Sequence, residues 1–344
     1  MTPGTAQRGA LVERTVSRLP GLLPPVALGL AAAGLGSLWP VVGGPVIAVL
    51  AGAALSPLVR RRSTTLEPGL ATARGFVLQL AVVLLGAGLS FRTVADAGIS
   101  SLPVLLTTLA ACLVLAWLLG RWLGVPGKLR TLIGVGTGIC GASAIAAASP
   151  VIRARSAEIA YAVSTIFLFN VAAVVVFPPL GHLLGLGQQQ FGLFAGTAVN
   201  DTSSVVAAAT SYGEVATQHA VVVKLVRTLM IIPITLALGA WARRREEGEQ
   251  RPGGRIRATV TLIPWFLVGF LVMVAANSAG CFSAGAQDGL RTAATLLITV
   301  ALAAIGLSTD VAALRRAGAR PLLLGFLLWV AVATTSLAVQ FLTR

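Results

Sequence analysis

The sequence predicts an all-α polytopic membrane protein, and three observations support this fold class. Hydrophobic residues make up 56% of the 344 residues, charged residues only 11%, and the mean hydropathy is +0.89. Soluble domains carry about 25% charged residues, so a water-soluble core could not hide this much apolar surface. Apolar runs near the ~20 residues that a membrane span needs recur along the chain. Arginines cluster between these runs, as orientation signals do, at 60–62, 243–245 and 315–316.

Eleven apolar segments account for most of the chain, and we expect them in one membrane domain, 1–344. The segments lie at about 22–39, 41–58, 74–91, 102–123, 131–152, 156–180, 191–212, 214–242, 258–280, 290–308 and 321–342. The positive-inside bias predicts a cytoplasmic N-terminal segment, 1–21, and a cytoplasmic loop, 243–257.

An internal repeat relates two of these segments. Residues 136–149 align without gaps on residues 196–209, with five identities and Ile/Val exchanges. Each copy is followed by a long apolar helix, which gives the repeat pair 131–180 and 191–240. Carriers often contain such repeats in inverted orientation.

The repeat and the charge pattern leave two topologies open. If 131–152 and 191–212 are re-entrant hairpins entering from opposite faces, Arg153 and Arg155 return to the cytoplasmic side. If both are broken helices that cross fully, the chain has eleven spans. The prediction is therefore about nine to eleven transmembrane segments with two discontinuous or re-entrant helices, and charge favours the hairpins.

The first copy of the repeat is rich in glycine and contains a GxGxxG pattern at Gly136, Gly138 and Gly141. A dinucleotide site is excluded because it requires a strand and a βαβ unit around the glycines. Close helix packing is one explanation for the glycines. The other is a broken helix whose backbone lines a cavity, the one setting where irregular backbone survives at membrane depth. On that hypothesis the candidate binding residues are Thr137, Gly138, Cys140, Gly141 and Ser143.

The second copy places five consecutive polar residues, 200–204, inside an apolar run. An ionisable residue there, Asp201, is a functional-site hypothesis by default. Asp201 could also cap a helix, accepting from the amide of Ser203 or Ser204. The candidate binding residues of this copy are Asn200, Thr202, Ser203 and Ser204.

Two basic residues, Lys224 and Arg227, share one face of the helix that follows. Only Lys128 and Lys224 are lysines among 26 basic residues, and a lysine inside a span suggests a group that exchanges protons. We assign Arg227 to anion binding and Asp201 with Lys224 to ion coupling, as an expected ion pair. Asn170 in the preceding helix is expected to hydrogen-bond between helices.

The remaining composition gives no support to other classes of site. Cys112, Cys140 and Cys281 lack the spacing of a disulfide framework or a zinc site, and His182 and His219 lack metal-ligand spacing. We expect no metal, no cofactor, no enzymatic activity and no nucleic-acid partner, although the net charge is +15.

The ordered motifs GVGTGICGASAIAAASPVIRA, STIFLFNVAAVVVFPPLGHLLGL, FAGTAVNDTSSVVAAATSYG and VKLVRTLMIIPITL resemble the YeiH-like sulfate exporter family over about 131–240. The resemblance implies kinship with bile-acid and cation/proton antiporter carriers, inverted repeats, and discontinuous helices that meet at the midplane. We also expect a bacterial inner-membrane location, with the N-terminus in the cytoplasm because of the positive-inside bias. Several members carry a His where this chain has Asn200, so any proton chemistry of that His does not carry over.

These observations lead us to expect a homo-oligomeric secondary carrier that exports or exchanges a small anion, sulfate or sulfonate-like, by alternating access, coupled to Na⁺ or H⁺ or working by exchange. Two alternatives stay open. One is a cation/proton antiporter that uses Asp201 and Lys224. The other is a membrane sensor or scaffold that transports nothing.

Overall fold

The structure is a computed structural model that describes residues 19–38, 44–60, 63–245, 264–308 and 319–343. The described residues are helical with short connections and include no strand. Most of the expected N-terminal segment 1–21 and loop 243–257 lies outside the described residues. All eleven apolar segments coincide with helices, so the all-α polytopic prediction is confirmed.

Six helical stretches are long and apolar enough to cross a membrane: Thr65–Gly88, Phe91–Trp122, Ser156–Leu183, Glu214–Ala240, Ala284–Leu307 and Ala319–Leu342. Three shorter apolar helices, Pro20–Gly36, Ile47–Val59 and Trp265–Ser278, occupy the other predicted spans. The chain is therefore a multi-pass membrane protein.

The helices cluster into two compact units, 1–89 with 269–310 and 90–268 with 311–344. The first unit contains α1 (Leu19–Leu38), α2 (Gly44–Arg60), α3 (Ser63–Thr72), a π-helical turn (Ala73–Val77), α4 (Leu78–Leu85), most of α13 (Trp265–Ser278) and α14 (Ala284–Leu307). Small residues bring α2 and α14 together: a Cβ atom on Gly52 would stand 3.0 Å from Gly306 Cα. Such close approach is the usual packing between membrane helices.

The second unit holds both copies of the repeat. Its helices are α5 (Phe91–Trp122), α6 (Gly127–Gly138), α7 (Ala142–Val151), α8 (Ser156–Leu183), α9 (Gln188–Ala198), α10 (Thr202–Thr210), α11 (Glu214–Leu229), α12 (Ile231–Arg245) and α15 (Ala319–Leu342). The expectation of a single membrane domain stays a prediction, as does inverted symmetry between whole halves.

The first copy, residues 127–151, is a helical hairpin, here called hairpin 1. Its arms α6 and α7 are 12 and 10 residues long, or about 15–18 Å, half a bilayer core. Lys128 Nζ donates to Arg153 O at 2.7 Å, so the start of α6 lies beside the end of α7. The chain turns at its tip, residues 139–141, where Gly141 has φ +70° and ψ −130°. L residues with a side chain rarely adopt this conformation, which explains a glycine there.

The second copy, residues 188–210, forms hairpin 2 from α9 and α10, with its tip at 199–201. Gln188 Oε1 accepts from the amide of Val215 at 3.0 Å, and Tyr212 donates to Leu186 O at 2.5 Å. The rings of Phe191 and Tyr212 stack at 3.8 Å. The start of α9 therefore lies beside the end of α10, and the structure agrees with the hairpin topology.

The two hairpins enter from opposite ends of the second unit. The 27-residue stretch Glu214–Ala240 begins at the base of hairpin 2. Near its other end, a Cβ atom on Gly239 would lie 3.7 Å from Val151, at the base of hairpin 1. A helical stretch of this length measures about 40 Å. Since the tips meet beside its middle, each hairpin reaches about halfway along the span.

This geometry makes a topology prediction that cysteine labelling can check. In a Cys281→Ser background, Ser156→Cys marks the base of hairpin 1 and Gln189→Cys the base of hairpin 2; both positions are exposed. A membrane-impermeant thiol reagent added to intact cells should label Gln189→Cys and spare Ser156→Cys, because Arg153 and Arg155 favour the cytoplasmic face. Labelling of both from the same side would contradict opposed hairpins.

The glycines of the GxGxxG pattern pack closely, as one of the two explanations proposed. A Cβ atom on Gly136 would lie 2.7 Å from Ile166 Cδ1 and one on Gly138 3.1 Å from Leu109 Cδ1. Gly141 differs because it forms the break between α6 and α7. Both explanations therefore hold, at different glycines.

Candidate functional site

The candidate site lies where the two hairpin tips meet. A Cβ atom on Gly141 would stand 3.2 Å from Asp201 Cβ and 3.6 Å from Asp201 N. Every predicted site residue lies on a tip, within five residues of one, or on the face of α11 behind the tips. The structure therefore brings the two motifs and the two basic residues together.

Arg227 joins the ends of α6 and α9. Its Nε donates to Gly138 O at 2.7 Å, its Nη2 to Thr137 O at 3.0 Å and its Nη1 to Thr197 O. The side chain is fully buried, at 0% exposure. In this arrangement Arg227 is a fixed charge on main-chain carbonyls, and its predicted role in anion binding stays a prediction.

Lys224 makes the same kind of bridge one turn earlier on α11. Its Nζ donates to Ile139 O at 3.0 Å and to Val199 O at 2.8 Å, and it too is fully buried. No ion pair joins Lys224 to Asp201, although both are described. The main chain of the two tips supplies the acceptors for Lys224 in this conformation, and ion coupling through Asp201 and Lys224 stays a prediction.

The carbonyls that these two side chains hold are equivalent positions of the repeat. Ile139 and Val199 are sixty residues apart, and Thr137 and Thr197 are also sixty residues apart. Each basic side chain of α11 thus binds the same main-chain position in both hairpins. The positive charges face the C-terminal ends of α6 and α9, where the helix dipole is negative and carbonyls lack helical partners.

Asp201 is the N-cap of α10, as one of the two sequence hypotheses proposed. Its Oδ1 accepts from the Ser204 amide at 2.9 Å and from Ser203 Oγ, and its Oδ2 accepts from Ser204 Oγ at 2.7 Å. The carboxylate therefore fills the N-terminal end of α10.

The start of α7 differs from the start of α10. Gly141 occupies the position equivalent to Asp201 and provides no side-chain cap. The first hydrogen bond of α7 runs from Ile145 N to Gly141 O, so the amides of residues 142–144 have no acceptor within the helix. Ser143, equivalent to Ser203, is exposed. The start of α7, where residues 142 and 143 are exposed and the Ala144 amide donates to the Cys140 sulfur, is thus paired with a helix N-terminus that carries its own carboxylate.

Accessibility divides the predicted site residues into two groups. Ser143 is exposed and three others are half-buried: Asp201, Thr202 and Ser203. The rest are buried: Thr137, Gly138, Cys140, Gly141, Asn200, Ser204, Lys224 and Arg227. In this conformation the first group is accessible to a solute, and a role in binding for the buried group stays a prediction.

A buried amide at the tip of hairpin 2 is incompletely bonded. Asn200 is 1% exposed and its Oδ1 has no hydrogen-bond partner among the described residues. Its backbone amide donates to Asn170 Oδ1 at 3.0 Å, which confirms the expected bond between helices for Asn170. Sequence reasoning missed Thr197, whose carbonyl Arg227 binds. Its signal was its equivalence to Thr137 in the repeat.

No group of three or more His, Cys, Asp or Glu side chains that could hold a metal ion occurs among the described residues. Within this part of the chain, hydroxyls, amides, carbonyls and the Asp201 carboxylate make up the polar surface of the tips. Such groups can bind a small solute through hydrogen bonds and helix dipoles.

Comparison with known proteins agrees with the geometry only at the level of a membrane protein family. The family model described as Conserved hypothetical protein 698 matches residues 20–325. A UPF0324 membrane protein of Streptococcus pyogenes is 43% identical over 330 residues, covering 94% of this chain and 96% of the relative. A UPF0324 membrane protein of Fusobacterium nucleatum is 38% identical over 340 residues, covering 94% and 98%. No solved structure matches the chain.

Proposed function

We infer that this chain, which belongs to the UPF0324 membrane protein family, is a secondary transporter that moves a small anion by alternating access. The observation that carries the proposal is the pair of opposed hairpins with two fully buried cations, Lys224 and Arg227, on one side of their tips. Broken helices that meet at mid-span are the usual binding-site architecture of secondary carriers.

Charge supports an anion as the substrate. Lys224 and Arg227 carry two positive charges at the tips, and Asp201 carries one negative charge. The cations offset the negative ends of α6 and α9, and no carboxylate caps the positive dipole end at the start of α7. A helix N-terminus with accessible amides, here those of residues 142 and 143, is an established anion-binding arrangement.

The repeat suggests where the anion binds. In hairpin 2 the Asp201 carboxylate lies on the Ser204 amide and on two serine hydroxyls. We place the substrate at the equivalent position of hairpin 1, accepting from the amides of residues 142 and 143 and from Ser143 Oγ. Thr202 and Ser203 stand on the facing tip. A compact oxyanion such as sulfate, or a sulfonate, matches these donors, in keeping with the resemblance to sulfate exporters.

The proposal extends to location and assembly. We place the chain in the bacterial inner membrane with its N-terminus in the cytoplasm, and we propose a homo-oligomer without cofactor or enzymatic activity. Proteoliposomes loaded with labelled sulfate test the function, with sodium and proton gradients applied separately. Anion flux that needs the protein supports the carrier. Cation flux without anion flux supports the antiporter, and no flux of any tested ion supports a sensor or scaffold.

One observation favours the antiporter alternative. Asn200 Oδ1 is a buried acceptor without a donor, and it adjoins the Asp201 carboxylate in the chain, so together they could bind a cation. The Asp201→Asn variant separates the two hypotheses. Asn is as good an N-cap as Asp, so α10 should lose less than about 1 kcal/mol.

With α10 intact, an anion carrier should keep sulfate flux in Asp201→Asn within about threefold of wild type, whereas an antiporter should lose cation coupling with its carboxylate. Flux measured in the same proteoliposomes decides between them. Ser204→Ala, which removes one hydroxyl donor to Asp201, is the matched control for weakening the cap alone.

A further inference from the structure

An apolar groove runs along the outer face of the second unit, beside hairpin 1. Its cavity volume is about 340 Å³, between α5, α6 and α12. Leu113, Trp117, Val135 and Leu238 line it, with Arg130 and Thr131 as its polar residues. Trp117 is 53% exposed, so the groove opens on the helix surface that faces lipid.

Arg130 lies in the groove without a protein partner. The stem of its side chain packs on α5, since a Cβ atom on Gly120 would stand 2.8 Å from Arg130 Cβ. No hydrogen bond or ion pair joins its guanidinium to another described residue. An arginine presents five donors that match a phosphate in geometry and charge.

The same end of the second unit is strongly basic. Basic side chains around the base of hairpin 1 are Arg121, Lys128, Arg130, Arg153, Arg155 and Arg320. The acidic group there, Glu158, is bound to Arg155 through both the backbone amide and the guanidinium. Basic side chains therefore outnumber acidic ones around the base of hairpin 1 within the described residues.

Depth places Arg130 at the height of lipid headgroups. Arg130 lies nine residues before the tip at 139, or about 14 Å along α6. Half of a 30 Å hydrocarbon core is about 15 Å. With the tip near mid-span, Arg130 reaches the boundary between acyl chains and headgroups, and the groove extends from there toward the bilayer centre.

We propose that this groove is a binding site for an anionic phospholipid. The phosphate is bound by the Arg130 guanidinium, and one acyl chain fills the groove against Trp117 and α12. Basic pockets between transmembrane helices bind anionic headgroups in this way. Because α6 forms one wall of the groove, the lipid contacts this arm of hairpin 1. A bound lipid would therefore stabilise α6 whatever solute the protein transports.

Fluorescence of Trp117 tests the site directly. Purified full-length protein in detergent is titrated with phosphatidylglycerol or phosphatidylcholine carrying brominated acyl chains, and the Trp117 signal is the difference between wild type and Trp117→Phe. We expect quenching by phosphatidylglycerol at a concentration at least about fivefold lower than by phosphatidylcholine, as one basic contact at a membrane surface provides.

Two variants test the headgroup contact and the acyl-chain contact separately. Arg130→Gln should remove the preference for phosphatidylglycerol and keep weak quenching by both lipids. Ala237→Phe, at an exposed groove position on α12, should reduce quenching by both. Arg92→Gln, the same change at an exposed arginine on α5, should leave the titration unchanged.

Three results would overturn the proposal: equal quenching by both lipids in wild type, an unchanged preference in Arg130→Gln, or complete competition by glycerol phosphate, which has the headgroup chemistry without a chain. The last would identify an anion site instead of a lipid site. Each result is independent of whether sulfate is transported.

Discussion

Replacing Arg227 with methionine is expected to destabilise the hairpin tips and to abolish transport. The change leaves three carbonyls, of Thr137, Gly138 and Thr197, buried without their donor. An unsatisfied buried acceptor costs about 1–3 kcal/mol, so the loss should be at least about 3 kcal/mol. The melting temperature of the purified protein in detergent should fall clearly, and sulfate flux should drop more than tenfold.

Arg227→Lys should give an intermediate result, because it keeps the charge but cannot reach three acceptors with one ammonium group. Arg92→Met is the control, because it makes the same substitution at an arginine whose side chain is 92% exposed. If Arg227→Met melts like wild type while losing flux, the guanidinium contacts substrate and does not hold the tips.

Replacing Lys224 with methionine is expected to be the second largest effect. It breaks the bridge between Ile139 O and Val199 O, the one point where a single ammonium group joins both tips. We expect a loss of about 2 kcal/mol or more for the two carbonyls, together with loss of flux. The measurement is again melting temperature and flux on the same preparation.

Lys128→Met is the matched control. Lys128 likewise donates to a main-chain carbonyl, Arg153 O at 2.7 Å, but it is exposed at the base of hairpin 1. It should cost no more than about 1 kcal/mol. Similar losses for the two lysines would mean that the bridge between the tips adds nothing to stability.

The sequence was sufficient to locate the hairpins and their tips. Helical arms of half-membrane length follow from apolar runs interrupted by Gly141 and by the polar run at 200–204. The sixty-residue repeat identified the equivalent positions. The residue type of Asp201, just before an apolar helix, predicted that it caps that helix. In each case the feature could be predicted because it depends on the type of residue at that position and on its neighbours in the sequence.

The partners of Lys224 and Arg227 could not be predicted in the same way. Their acceptors are main-chain carbonyls, which every residue carries, so no residue type marks them. The nearest opposite charge in the sequence, Asp201, was the reasonable partner, but it is already bound by Ser203 and Ser204. The division into two units could not be predicted either, because the first unit combines residues 19–89 with residues 269–308, which are distant in the chain.

The central claim is that an anion binds at the start of α7, which has no carboxylate cap, in the position that Asp201 fills in hairpin 2. Ser143→Asp tests it most directly, because it introduces a carboxylate at an exposed position of the first turn of α7. A carboxylate there is favourable for the helix itself, so folding should be kept. Ser143→Asn, of nearly the same size and without charge, is the control.

The decisive measurement is counterflow of labelled sulfate into proteoliposomes preloaded with unlabelled sulfate, for wild type and both variants. The comparison requires that the three purified proteins have the same melting temperature. The account predicts counterflow in wild type, at least about a third of it in Ser143→Asn, and less than a tenth in Ser143→Asp, because the internal carboxylate takes the place of the substrate. Equal counterflow in Ser143→Asp and Ser143→Asn would contradict an anion site at the start of α7.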